Sequence, residues 1–232
     1  MSLKVRQQQV PLSFQDKRPK EVFPLAVDAS TSPLQVGIPK PRSWHCLVKV
    51  NEHALEGIFS ATEKVLKDSK KKLSQINSLY YCEGPGSTLG LRLAAAFVRT
   101  LKWSYDYDDF EVFSYNSLDL ASLLIPKANS VIQAPFRMGF RFVRIPHLIP
   151  LKAEKRIVTQ DEAFSKYPDS FHLPDIRSRS TPVSPEKTLS YDLSKIKGLA
   201  GLNLISKHCS TILPYNPKAP EFKKWTPRQL GK

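Results

Sequence analysis

The amino-acid sequence predicts an α/β protein: a mixed sheet flanked by helices, followed by a second, shortened subdomain. Three observations carry that prediction. Short apolar runs with the two-residue alternation of strands give way to longer runs with the 3.6-residue period of helices. Their order is strand, strand, strand, helix, strand, helix, strand, helix. At 232 residues with 41% hydrophobic side chains, the chain can bury a sizeable core. Turn-forming stretches, Ala29-Ser30-Thr31-Ser32-Pro33 and Glu83-Gly84-Pro85-Gly86-Ser87, separate the runs.

The elements follow in order. Phe23 to Asp28 (FPLAVD) is a short buried strand, and Leu34 to Ile38 (LQVGI) alternates as a second. Trp44 to Val50 (WHCLVKV) pairs antiparallel with it through the Pro39–Ser43 turn. Leu55, Ile58, Phe59, Thr62, Val65 and Leu66 then recur at helical spacing, and the Lys70–Lys72 run suits the negative end of that helix's dipole. Ile76 to Cys82 returns to strand character. Ser87 is a good N-cap for a helix from about Thr88 to Trp103, with Leu91, Ala94, Ala95, Val98 and Leu101 among its apolar residues. Phe110 to Phe113 is a strand and Ser117 to Leu124 a helix. Further on, Val131–Ala134 and Phe140–Ile145 read as strands joined around Arg137-Met138-Gly139. Residues 146–190, dense in Pro, Ser and charge, read as loops with little regular structure, and Ile196 to Cys209 as a short helix. The expected organisation is a basic, disordered extension over 1–21, a first subdomain over 22–125 and a smaller basic one over 126–232.

Composition narrows the function classes. No apolar stretch approaches the roughly 20 residues that span a bilayer, and the first twenty residues have no apolar core of a signal peptide. Cys46, Cys82 and Cys209 are far apart and odd in number, which disfavours a disulfide framework and a zinc site and fits a reducing cytoplasm. The net charge of +14 is uneven: residues 1–125 hold 16 Lys/Arg against 13 Asp/Glu, residues 126–232 hold 19 against 8. The excess in the second half reads either as a solubilising surface or as a contact for a polyanion, RNA above all.

The glycine-rich loop at Gly84–Ser87 raises the question of a phosphate site. Glycines before a helix N-terminus can present N–H groups to an anion. A Walker A loop, however, needs a lysine after its last glycine, and Leu91 follows Gly90. Gly84, Gly86 and Gly90 also lack G-x-G-x-x-G spacing, and Ser87 is out of frame for a G-x-S-x-G nucleophile elbow. A structural strand-to-helix turn is favoured over a phosphate cradle. Asp28, followed by Ser30 and Thr31, either approaches a metal–phosphate complex or caps its own turn. His45, His53, His147, His172 and His208 form no H-x-x-x-H pair, since position 57 is glycine. On the first helix Ala54, Gly57 and Ala61 lie at small-residue spacing off the main apolar stripe, and Ala94, Ala95 and Ala96 add to this on the second. Such faces either receive a partner's helices or let the helices sit close to the sheet.

Taken together, Leu25-Ala26-Val27-Asp28-Ala29-Ser30-Thr31, His53 at the start of a helix, and Glu83-Gly84-Pro85-Gly86-Ser87-Thr88-Leu89-Gly90-Leu91-Arg92 resemble the TsaB (YeaZ-like) family. Its hallmark is a strand ending in G-P-G-S, then an aromatic or small residue, Thr, and G-[VL]-R, and this chain keeps the glycines, the serine and Arg92 in register. Ser117–Leu124, Val131-Ile132-Gln133-Ala134 and Leu213-Pro214-Tyr215 are similar to further family segments. The resemblance covers about residues 23 to 145 well and the rest faintly.

It implies an actin-like (ASKHA, ribonuclease H-like) fold of two related subdomains, the second shortened or degenerate. It also implies a non-catalytic paralogue of TsaD, the enzyme that transfers threonylcarbamoyl to an adenosine of tRNA. Such a scaffold binds TsaD through its N-terminal helices in an intermolecular helical bundle, and the pair recruits the ATPase TsaE. Here the implied partner face is His53, Glu56, Gly57 and Ser60 from the first helix, with Arg92, Ala95, Ala96 and Arg99 from the second. Asp28, Ser30, Gly84, Gly86 and Ser87 become a vestigial nucleotide loop, with no catalytic residue, cofactor or metal. Contact with tRNA comes through the complex, and the isolated chain forms homodimers. Ser30, where catalytic actin-like ATPases have a glycine, and Gln133, where the family has an acid, argue against independent ATP turnover. Two other classes stand beside this one: an independent actin-like ATPase or kinase (or a mislabelled glycoprotease) using Asp28 and the Gly84–Ser87 loop, and a stand-alone RNA-binding module.

Overall fold

The computed structural model describes residues 22–104, 110–127, 129–174 and 183–215. The expected extension over 1–21 and most of the basic tail lie outside these residues.

A six-stranded mixed sheet forms the centre, in the order β10-β5-β4-β1-β2-β3. Its strands are β1 (Phe23–Asp28), β2 (Leu34–Pro39), β3 (Trp44–Val50), β4 (Ile76–Gly84), β5 (Glu111–Asn116) and β10 (Ser206–His208). β1, β2 and β3 make an antiparallel meander, whereas β4 and β5 add in parallel on the other side of β1. The parallel strands need crossovers, and α1 (Ala54–Ser69) and α2 (Thr88–Ser104) supply them on one face. Alternation then sorts the side chains. Leu25, Val27, Leu79 and Tyr81 point to that face with Ile58, Ala61, Val65, Ala94 and Val98. Ala26, Tyr80 and Cys82 point to the other, against α3 (Ser117–Ser122) and α5 (Gly198–Ile205). Burial on both faces explains why β1 and β4 read as continuous apolar runs.

A smaller sheet, ordered β8-β7-β6-β9, makes up the second half: β6 (Ile132–Pro135), β7 (Phe140–Ile145), β8 (Glu154–Thr159) and β9 (Phe171–His172). Ile132, Ala134 and Phe142 from this sheet share an apolar layer with α3 and α5, so the two sheets meet across one core.

Two expectations are corrected. The segment 146–190 carries more regular structure than its Pro and Ser content suggests: β8 continues directly into α4 (Gln160–Lys166), whose N-cap Thr159 accepts a hydrogen bond from Glu162 N at 3.3 Å. The signal was present in the sequence as Thr159-x-x-Glu162, the spacing of a capping box. The helix expected over Ile196–Cys209 stops at Ile205, and Ser206–His208 instead pairs antiparallel with the edge of β5. Backbone groups on that edge need partners more than three further residues need helix. At the other end, Leu199 N and Ala200 N donate to Lys40 O and Pro41 O, both at 2.9 Å, which docks α5 on the β2–β3 turn. No helix among the described residues is long and apolar enough to cross a membrane.

Candidate functional site

The fold brings the two sequence-singled segments, Asp28–Thr31 and Gly84–Ser87, into direct contact at the C-terminal ends of β1 and β4. Ser87 N donates to Ser30 O at 2.7 Å. A Cβ on Gly86 would lie 2.2 Å from Ser30 O, and one on Gly90 2.1 Å from Ala29 O, so the glycines are there for close backbone approach. Ser87 Oγ accepts from Gly90 N at 3.2 Å, which makes it the cap of α2 that its position predicts. Beneath the loop, Ser117 Oγ donates to Pro85 O at 2.6 Å, and Asn116 Oδ1 caps α3 through Leu118 N at 3.0 Å.

Asp28 sits at the centre of this junction, almost wholly buried. Its Oδ1 accepts from Ser30 N at 2.8 Å and from Ser30 Oγ at 2.5 Å. Its Oδ2 accepts from the hydroxyls of Tyr115, at 2.8 Å, and Tyr191, at 2.7 Å. Burial, and then the Asp28 carboxylate itself, raises both tyrosines well above the ordinary phenol value, so they remain donors. The same two causes raise the nearby Cys82 thiol, which is therefore held as thiol and not as nucleophile. Tyr191 arrives from 163 residues away, and Gln35 fixes it there: Gln35 Nε2 donates to Tyr191 O at 3.3 Å, and Gln35 Oε1 accepts from Leu193 N at 2.9 Å. Asp28 thus caps its own turn and anchors a distant strap, and both carboxylate oxygens are engaged within the chain.

A second feature is the outer face of α1 and α2, which pack side by side with Phe59 edge-on to Phe97 at 5.6 Å. Of the residues expected there, His53, Glu56, Arg92 and Arg99 are exposed, and Ser60 and Ala96 are partly so. Gly57 and Ala95 are not: Gly57 faces β3, with Val50 Cγ2 at 3.2 Å from a Cβ placed on it, and Ala95 belongs to the core. The small residues serve the second of the two uses the sequence left open: Ile58, Thr62 and Val65 of the expected apolar stripe of α1 are buried, whereas Leu55 and Phe59 of that stripe face outward. Gly57, Ala61 and Ala95 let the helices lie close to the sheet, while Leu55 (55% exposed), Phe59 (59%), Leu89 (63%) and Trp103 (79%) point outward. Leu89, Arg92, Ala96, Arg99 and Trp103 fall at i, i+3, i+7, i+10 and i+14 along one stripe of α2. The guanidinium of Arg99 lies 5.9 Å from the Trp103 ring. The overlooked signal was the number of large apolar residues on α1, which exceeds what one narrow core stripe holds.

Among the described residues, several cations of the second half turn inward or are paired. Arg144 Nε donates to the buried Asp119 at 2.8 Å, and Lys155 pairs with the same carboxylate at 2.8 Å. Arg156, Lys166, Lys187 and Lys207 pair with Glu154, Glu162, Asp169 and Glu83. Gln133, at the place of the expected acid, is fully buried and donates to Ala163 O at 3.0 Å and Ser170 Oγ at 2.7 Å.

The central sheet, with an antiparallel meander followed by parallel strands, and the smaller sheet behind it define the expected actin-like class. Among solved structures the chain is similar to YeaZ from Pseudomonas aeruginosa, with a TM-score of 0.52 and 15% sequence identity over 66% of this chain and 75% of that one. It is also similar to an uncharacterized protein with similarity to peptidase YeaZ from Pseudomonas aeruginosa, at a TM-score of 0.49 and 15% identity, covering 60% and 67%. Residues 49–129 match the family model of TsaD, tRNA N6-adenosine threonylcarbamoyltransferase. That stretch spans α1, β4, the Gly84–Ser87 loop, α2, β5 and α3. No curated protein matches the chain.

Proposed function

We propose that this chain is a scaffold subunit of the TsaB kind, without catalytic residues of its own, that holds a TsaD-type threonylcarbamoyltransferase for threonylcarbamoyladenosine modification of tRNA. The observation that carries the proposal is the outward apolar stripe of the paired helices α1 and α2: Leu55, Phe59, Leu89 and Trp103. Apolar side chains flanked by Arg92 and Arg99 are the composition of a protein interface, in which aromatic residues and arginine are enriched. A partner's helices laid along this face complete a four-helix arrangement. The non-catalytic part of the reading is supported by Asp28, whose oxygens are committed to Ser30, Tyr115 and Tyr191. In this reading a TsaE-type ATPase and tRNA join through the complex, the isolated chain homodimerises through the same helices, and the protein works in the cytoplasm.

The test is co-purification with the TsaD homologue of the same genome. Phe59→Glu and Leu89→Glu are expected to weaken the complex by about 30-fold or more, as removal of an interface anchor worth about 2 kcal/mol does; the melting temperature of the chain stays unchanged in Leu89→Glu and falls slightly in Phe59→Glu, which loses its contact with Phe97. Ala95→Glu buries a carboxylate and is expected to unfold the helix, so it reports on the core and not on the interface. A complex that tolerates both outward substitutions overturns the proposal.

A further inference from the structure

Four cations from two distant parts of the chain meet at one corner of the central sheet. The β2–β3 turn, carrying Lys40 and Arg42, is bound to the first turn of α5 through Leu199 N to Lys40 O and Ala200 N to Pro41 O. Lys197 is the N-cap of α5, and Lys195 ends the 3-10 turn just before it. The seat is tight, since a Cβ on Gly198 would lie 2.1 Å from Ser43 O and 2.3 Å from Lys40 O. All four side chains are exposed, and none has an ion-pair partner among the described residues.

The placement runs against the internal electrostatics of the fold. A helix N-terminus carries the positive end of the dipole and favours acids, yet the first turn of α5 has none. The sequence holds no Asp or Glu from residue 29 to 51, or from 193 to 220. The nearest acid in the chain, Asp192, is engaged by Lys49 at 2.6 Å and by the N–H and hydroxyl of Ser194. A second exposed lysine cluster among the described residues, Lys64, Lys67, Lys70 and Lys72, differs on both counts: it surrounds Asp68 and lies toward the C-terminus of α1, where cations complement the dipole.

We infer that this corner, Lys40, Arg42, Lys195 and Lys197, is a contact site for the phosphate backbone of RNA. Lysine is depleted at protein–protein interfaces, and none of the exposed large apolar residues falls in the segments 39–43 or 194–200. The corner therefore lacks both the anchor of a protein interface and the apolar insertion of a membrane surface. Phosphates need neither. The electrostatic argument stands without the proposed function; the choice of RNA among polyanions rests on it.

The test uses the full chain alone and an unmodified tRNA transcript, with affinity measured over a series of salt concentrations. Replacing all four residues by Gln is expected to lower affinity at least tenfold at low salt. It is also expected to reduce the slope of log K against log salt by about 3, the loss of four phosphate contacts. Lys64, Lys67, Lys70 and Lys72→Gln, which removes the same charge, is expected to leave the slope within about 1 of the parent. Equal losses in the two variants overturn the site, because binding then follows net charge. Loss of binding to phosphatidylcholine–phosphatidylserine vesicles with RNA binding intact overturns the choice of ligand. RNA binding that survives the corner variant while the TsaD complex forms overturns this inference alone and leaves the scaffold reading standing.

Discussion

At the scale of single residues, a buried polar group that is paired in the folded chain can still make stability depend on pH. His172 on β9 shows what that costs at low pH. Its Nδ1 faces the Arg141 guanidinium of β7 at 3.0 Å, its Nε2 faces Ser170 Oγ at 3.3 Å, and the Phe164 ring of α4 lies 5.8 Å away. Burial first, then the charges of Arg141 and Lys187, lower its pKa from 6.5 to about 4. The imidazole is therefore neutral in the folded chain at neutral pH and is suited to accept from Arg141 through Nδ1. The folded value lies below the unfolded one, so the unfolded chain takes up the proton first. The stability that neutral His172 permits is fully present above pH 6.5 and is lost as pH falls from about 6.5 to about 4, by about 3 kcal/mol at the lower end. Urea midpoints measured at pH 7 and pH 4.5 should show this loss, and His172→Gln should flatten it. An unchanged pH slope in that variant would assign the acid sensitivity to other groups.

At the scale of elements, the junction between the first hairpin and the Gly84–Ser87 loop depends on backbone proximity. Gly86→Ala and Gly90→Ala each place a methyl within 2.2 Å of a carbonyl oxygen on the hairpin, and neither backbone can yield without moving a central strand. Each is expected to cost about 3 kcal/mol, read as a lower thermal midpoint. A shift of less than a degree or two would mean that the loop lifts away freely. Much of this was legible: β1 and β3 begin and end where their apolar runs do, and Ser87 caps α2 as its place before a periodic run implies. What failed had local physical reasons. β5 extends to Asn116, beyond the apolar Phe113, because its ladder with β4 continues to Gly84. The buried face of α1 keeps Ile58, Thr62 and Val65 of the apolar stripe but turns toward Gly57 and Ala61 and away from Leu55 and Phe59, because close approach to the sheet favours small side chains. Nothing local in the sequence links Asp28 to Tyr191 or Lys40 to Lys197, since each pair is joined by tertiary docking alone.

At the scale of the molecule, the two sheets are joined by an apolar layer with one ionic cluster set into it. α3 follows directly from β5 and carries Leu118, Leu120 and Ala121 into that layer. Asp119, on the same helix, turns toward the second sheet, where β7 supplies Arg144 and β8 supplies Lys155. Arg144 and Asp119 are both nearly without solvent access, and the guanidinium also donates to Pro150 O at 3.3 Å. An apolar layer alone tolerates sliding, because its energy varies little with register. A charged pair at hydrogen-bond distance does not, so Asp119 fixes where the second sheet sits against the first. Asp119→Ala should accordingly cost about 3–5 kcal/mol by leaving Arg144 buried without its carboxylate. Asp119→Leu combined with Arg144→Met should recover most of that loss, since an apolar pair of similar volume removes the stranded charge. The comparison is made by denaturant unfolding of the two variants against the parent. A loss below about 1 kcal/mol for Asp119→Ala would mean that solvent reaches Arg144, and that the apolar layer by itself sets the seating of the two halves.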